Sequence, residues 1–180
     1  LPKLFPIKNL MHTKGFITLK RCGKLQLVRN FSGNLFKLII TFCFQILKQF
    51  LTPDFHLPGF QQLINTARSG KIGEIRDIEA CFTRLADPKS RERTDSQFGG
   101  AFLEYASYTL LPIFKLYGTD YKDVSIHSIF DKNGIDLYTK IELRYDRGLA
   151  TAKSGVGVKT EGQLVIAGTQ GDILAESPWW

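Results

Sequence analysis

Apolar positions recur at two spacings along this chain, and the change between them divides it. From Pro58 to Ser69 the residues Phe60, Leu63, Ile64 and Ala67 line one face of a predicted helix, which Gly70 stops. Ala101 to Leu116 predicts a second helix, ended by Gly118 and kinked by Pro112. Ile72-Gly73-Glu74-Ile75 turns into a predicted strand over Ile75–Leu85. After Gly118 the period falls to two, which predicts strands over Val124–Phe130, Ile135–Tyr145, Leu149–Val158, Gly162–Gly168 and Asp172–Glu176. Asp131-Lys132-Asn133-Gly134 closes a hairpin, since Asn-Gly adopts the left-handed backbone such a turn needs, and Asp146-Arg147-Gly148 makes another turn. Consecutive strands joined by tight turns form an antiparallel sheet, and the two helices cover one face of it. The expected class is α+β: an open, mainly antiparallel sheet with helices packed on one face. Ala86–Phe98, polar and carrying Pro88, reads as a surface loop bordering a site.

The first third of the chain breaks this regularity. Residues 1–60 carry nine lysines and arginines against one acid, Asp54, so all the excess of the +7 net charge lies there. Leu35–Leu51 is almost continuously apolar, but Lys37 and Lys48 interrupt it. A membrane-spanning helix needs about 20 apolar residues, so the segment is too short to be one. It lies too far from the start, and lacks a small-residue cleavage site, for a signal peptide. A buried helix or strand, a disrupted segment and a membrane-surface role all remain open for it. Such charge asymmetry also suits a basic arm for nucleic acid, yet no nucleic-acid motif accompanies it and its aromatics are not interleaved with the basic residues. The expectation is therefore neither a nucleic-acid partner nor a membrane one.

With 43% apolar and 12% aromatic residues over 180 positions, the chain has the composition of a globular domain. The three cysteines, Cys22, Cys43 and Cys81, are odd in number and widely spaced, which reads as free thiols in a reducing, cytoplasmic compartment. His12, His56 and His127 are scattered and build no metal cage, so no metal is expected.

Candidate chemistry concentrates in Gly99-Gly100-Ala101-Phe102-Leu103-Glu104-Tyr105-Ala106-Ser107-Tyr108. A double glycine opens the predicted helix, and Glu104 and Tyr108, four residues apart, lie on one helical face. A carboxylate and a phenol converging on one spot can orient a hydroxylated substrate and exchange a proton with it. The plainer reading makes Phe102, Leu103, Tyr105 and Tyr108 core residues and Glu104 a solvated charge.

Arg68-Ser69-Gly70-Lys71-Ile72-Gly73-Glu74-Ile75, the Gly99–Glu104 stretch with Tyr108, Ile166-Ala167-Gly168-Thr169-Gln170-Gly171-Asp172-Ile173 and Pro178-Trp179 occur in this order. Their spacing across residues 58–180 resembles the C-terminal domain of the Gfo/Idh/MocA oxidoreductases, a domain like the C-terminal one of glyceraldehyde-3-phosphate dehydrogenase. The resemblance implies hydride transfer between NAD or NADP and a hydroxyl of a sugar, polyol or dihydrodiol. It implies that Tyr108 takes the hydroxyl proton and that Glu104 stands at an acid position usually held by Asp. A phenol loses its proton near pH 10, so such a base needs a cation beside it. The family's cation is a lysine in a Glu-Lys-Pro motif, and Thr13-Lys14-Gly15-Phe16 with Asn34-Leu35-Phe36 after it is a degraded match, making Lys14 the candidate. Thr replaces Glu and Gly replaces Pro there.

No GxGxxG follows a strand, and Gly155-Val156-Gly157 and Gly168-Thr169-Gln170-Gly171 lie among strands rather than opening a helix. The cofactor-binding residues are therefore unknown, and NAD or NADP is implied by resemblance alone. Residues 1–57 read as an atypical basic and apolar segment, a degraded remnant of the end of a nucleotide-binding domain or a gene-model artefact. Residues 58–180 read as the second domain, incomplete at its C-terminus and self-associating through its sheet. The expected function is a fragment of an NAD(P)-dependent oxidoreductase, inactive alone. The alternatives are a non-enzymatic remnant that binds a ligand or partner chain, and a basic surface-binding protein.

Overall fold

The computed structural model describes residues 58–179. The readings placed on Lys14 and on Leu35–Leu51 lie outside the described residues.

Helix α1 spans Pro58–Arg68 and buries Phe60, Ile64 and Ala67 of its predicted stripe, with Leu63 only partly covered. Gly70, at φ 81°, ends it in the left-handed region that a side chain disfavours. Strand β1 runs Ile75–Thr83. A single helical turn, α2 (Arg91–Thr94), forms inside the polar stretch expected to be loop. Helix α3 spans Ala101–Tyr117 and takes Pro112 into its interior. The remaining strands are β2 (Asp123–Phe130), β3 (Asp136–Arg144), β4 (Leu149–Gly155), β5 (Leu164–Gly168) and β6 (Asp172–Ala175).

The six strands form one sheet in the order β2-β3-β4-β1-β5-β6. The β2–β3, β3–β4, β1–β5 and β5–β6 pairs are antiparallel, as expected. The β1–β4 pair at the centre is parallel, with Ala80 opposite Ala152, so the sheet is mainly antiparallel, as expected, around one parallel pair. The 65 residues from Arg84 to Gly148 carry α3 and the β2–β3 hairpin before β4 returns beside β1, a connection far longer than a hairpin turn.

Helices α1 and α3 pack on one face, and α3 lies across β4, β1 and β3. Beneath it the central strands present small residues, Ala80, Ala150 and Ala152, all at most 1% exposed. Bulkier Ile78, Ile141, Leu143, Leu164 and Ile166 pack around them. Small side chains at the centre let the helix backbone approach the sheet, so Ile113 and Phe114 fill the remaining space. Two arginines tie the C-terminal end of α3. Arg68 donates to the Lys115 carbonyl (2.5 Å) and Arg147 to that of Leu116 (3.0 Å), satisfying carbonyls that the end of α3 leaves unpaired.

The other face of the sheet carries charge. Lys153 bridges Glu79 (2.9 Å) and Glu161 (3.0 Å). Burial opposes its charge, but the two hydrogen-bonded carboxylates prevail and its pKa lies above the ordinary lysine value. Lys140 and His127 flank Glu142 on the same face, and Leu149 and Leu174 are exposed on it.

Candidate functional site

The sheet and α3 run in opposite senses, so the C-terminal end of β1 meets the N-terminal half of α3. A second apolar cluster forms there from Ala86, Ala101, Tyr105 and Val156, with Phe82, Tyr108 and Leu137 packed against it. The Phe82 ring stacks on Tyr105 (centroids 4.4 Å apart) and tilts against Tyr108 (5.1 Å). Tyr108 is thus seated on the end of β1 with its ring partly covered. Glu104 lies one turn before it on the same helical face.

The double glycine that opens α3 has a steric cause at each position. At Gly99 a Cβ would fall 2.7–2.8 Å from the carbonyl oxygens of Asp95, Arg91 and Glu92. Gly99 and Gly100 donate their N–H groups to the Asp95 (2.9 Å) and Glu92 (2.8 Å) carbonyls, which clamp α2 against the start of α3. Gly100 has φ 96°, and a Cβ there would meet the Asp136 carboxylate. Asp136, at the start of β3 and 2% exposed, fills that space. Its Oδ2 accepts from the Phe102 N–H (2.7 Å) and from the Thr139 hydroxyl (2.8 Å). A residue 34 positions away thereby does the work of a helix cap. Nothing in the spacing of the sequence points to it, because the pairing exists only once β3 lies beside α3.

The polar residues at this end are paired in a repeated way. Arg91 Nη2 donates to Glu104 Oε1 (2.5 Å) and Arg84 Nη2 to Glu92 Oε1 (3.0 Å). The Arg84 guanidinium also lies 6.0 Å from the Tyr105 ring centroid. Glu104 is therefore neither a core residue nor a freely solvated charge, and the two arginines were not singled out by the sequence pattern. Glu92 is held below the usual carboxylate range by its own backbone N–H, with Arg84 and Arg91 beside it. Burial raises the Tyr105 phenol above its ordinary value, the Arg84 charge opposing it, so Tyr105 stays protonated.

The N-terminus of α3, where a phosphate would find backbone N–H groups, is already occupied by the Asp136 carboxylate. Among the described residues no group of three histidines, cysteines or acids is placed to hold a metal ion. No helix among them is long and apolar enough to cross a membrane.

The fold is thus an open, mostly antiparallel six-stranded sheet with helices on one face, whose long helix opens on a double glycine and carries an acid and a tyrosine. Residues 60–174 match the family model described as the GFO/IDH/MocA C-terminal domain. That is more than half of the chain, and the chain belongs to this family.

Solved structures share the fold. Levoglucosan dehydrogenase, solved with NADH and levoglucosan, is 17% identical with a TM-score of 0.56, over 66% of this chain and 37% of that one. KijD10, a 3-ketoreductase from Actinomadura kijaniata solved with TDP-benzene and NADP, is 20% identical with a TM-score of 0.55, over 68% of this chain and 37% of that one. The WlbA dehydrogenase from Bordetella pertussis, solved with NADH and UDP-GlcNAcA, is 17% identical with a TM-score of 0.54, over 66% of this chain and 39% of that one. At these identities the likeness is one of fold, and the chain spans well under half the length of each structure. No curated protein matches the chain.

Proposed function

We propose that this domain supplies the substrate side of an NAD(P)-dependent oxidoreductase that acts on a hydroxyl of a sugar, polyol or dihydrodiol. The observation that carries the reading is the placement of Glu104 and Tyr108 on one face of α3, at the end of β1, with Tyr108 seated on Phe82. The family match and neighbours solved with NADH or NADP and with sugars support the reaction class. Tyr108, as its phenolate, would take the substrate hydroxyl proton, and the hydride from the carbinol carbon would go to a bound nicotinamide. Glu104, through its hold on Arg91, sets the polar edge of the site. A base of this kind needs a cation beside it, and the guanidiniums at this end of α3, Arg84 and Arg91, are each paired with a carboxylate. Lys14 is the further candidate for that charge, by resemblance alone. The reading extends to a reducing, cytoplasmic setting, consistent with the free Cys81, and to self-association through the charged sheet face.

The test is a nuclear magnetic resonance titration of the 180-residue chain with myo-inositol and D-glucose. The expected result is saturable shifts at Glu104, Tyr108 and Leu137, weakened about fivefold to tenfold by Tyr108→Phe through the loss of one hydrogen bond. Shifts confined to the opposite end of the sheet, around Gly70 and Arg147, or none at all, overturn it.

A further inference from the structure

We propose that this site takes a sugar or polyol bearing an anionic group, a carboxylate or a phosphate, and that Arg91 and Arg84 receive that group. The inference rests on the reading of the site as one for a hydroxylated substrate, and it names the substrate class.

Two ion pairs border the first turn of α3, and both are built the same way. In Arg91–Glu104 the arginine side chain is 57% exposed and the glutamate 17%. In Arg84–Glu92 the values are 53% and 18%. Each carboxylate is covered and serves as an anchor, while each guanidinium faces outward. A guanidinium has five N–H donors in a planar fork, and the carboxylate uses one Nη2 of each arginine, so most donors stay available. That fork matches the two oxygens of a carboxylate or phosphate. Helix α2 carries a third guanidinium, Arg93, whose Nε is buried with no hydrogen-bond partner among the described residues.

The two pairs are also fixed in place. Helix α2 is clamped to the double glycine through the Asp95 and Glu92 carbonyls, so Arg91 and Glu92 move with the start of α3. Arg84 sits against the Tyr105 ring, and Tyr105 shares Phe82 with Tyr108. The cationic groups and the candidate proton acceptor therefore stand on one small frame. A neutral polyol would leave the guanidinium donors to water, whereas an anionic one pairs them while its hydroxyl reaches Tyr108.

The experiment titrates the full chain with D-glucuronate, D-glucose 6-phosphate and D-glucose, read by amide shifts at Glu104 and Tyr108. The expected result is that at least one of the anionic sugars binds about tenfold or more tightly than glucose, as a charge-assisted pair predicts. Whichever is preferred identifies carboxylate or phosphate as the source. Arg91→Gln and Arg84→Gln, each checked by its melting curve, should each reduce the preference. Arg91→Lys, which keeps the charge without the fork, should restore part of it. Equal binding of all three sugars at Glu104 and Tyr108 overturns the inference and leaves the hydroxyl-site reading standing. Anion binding unchanged in both glutamine variants overturns it as well. Absence of binding by any of the three overturns both.

Discussion

The carboxylate of Asp136, at the start of β3, accepts a hydrogen bond of 2.7 Å from the backbone N–H of Phe102, in the first turn of α3. This contact joins the edge half of the sheet to the helix that carries Glu104 and Tyr108. It also explains Gly100, because the carboxylate lies where any side chain at that position would have to go.

Replacing Asp136 with alanine should cost about 2–3 kcal/mol, since it leaves the Phe102 N–H and the buried Thr139 hydroxyl without their acceptor. Urea unfolding of the variant should show a lower midpoint. Hydrogen exchange should rise first at residues 102–105, ahead of the rest of α3. Equal protection along the whole helix would show that the cap is not what holds its first turn.

Gly70 and Gly100 both have positive φ, at 81° and 96°, but only Gly100 faces a side chain. Gly70→Ala should therefore cost about 1 kcal/mol, the backbone penalty alone. Gly100→Ala should cost at least about twice that, because the carboxylate must also move. Comparing the two melting temperatures checks the difference, and similar losses at both positions would count against the steric account.

Ala152 lies fully buried in β4, where the sheet is covered by α3. Ala152→Leu should destabilise by about 1–3 kcal/mol through overpacking. Ile113→Ala, which leaves a cavity on the facing helix, should cost about 2–5 kcal/mol. Chemical denaturation of both variants tests whether small residues beneath α3 are a packing requirement. A neutral Ala152→Leu would show that the layer has slack.

The far end of α3 supplies a pH dependence. Burial pushes the Tyr117 and Tyr121 phenols from 10.0 up to about 12. A raised pKa means that the folded chain keeps protons the unfolded chain releases. The stability they contribute is complete below pH 10 and is lost as the pH rises toward about 12. Unfolding midpoints should fall as the pH rises from about 10 to about 12, the window of those shifts. The fall should be shallower in Tyr121→Phe, and an unchanged slope in that variant would remove Tyr121 from the account.

Most of the local structure was legible from spacing. The stripe of Phe60, Ile64 and Ala67 marked α1. At the hairpin, Asp131 Oδ1 accepts from the N–H groups of Asn133 (2.8 Å) and Ile135 (3.0 Å), which is why Asp-Lys-Asn-Gly turns where it does. The predicted strands ended within a few residues of the observed ones, overrunning where β1 and β4 give way to loop at Leu85 and Val158. In the site, the glycine pair, Glu104 and Tyr108 were visible because their chemistry and spacing are local. Arg84, Arg91 and Asp136 were not, because their partners lie 8, 13 and 34 residues away.

The sequence by itself determined the α+β class, the order of the elements and the position of the acid and phenol on one helical face. Those follow from periodicity and turn chemistry, which act over a few residues. Only the tertiary structure decided that β4 lies parallel to β1, that Asp136 caps α3, and that Glu104 is drawn into an ion pair which leaves Arg91 facing outward. Each of these depends on segments that meet only after the sheet closes under the helix, and no local propensity encodes which distant group will fill the space left by a glycine.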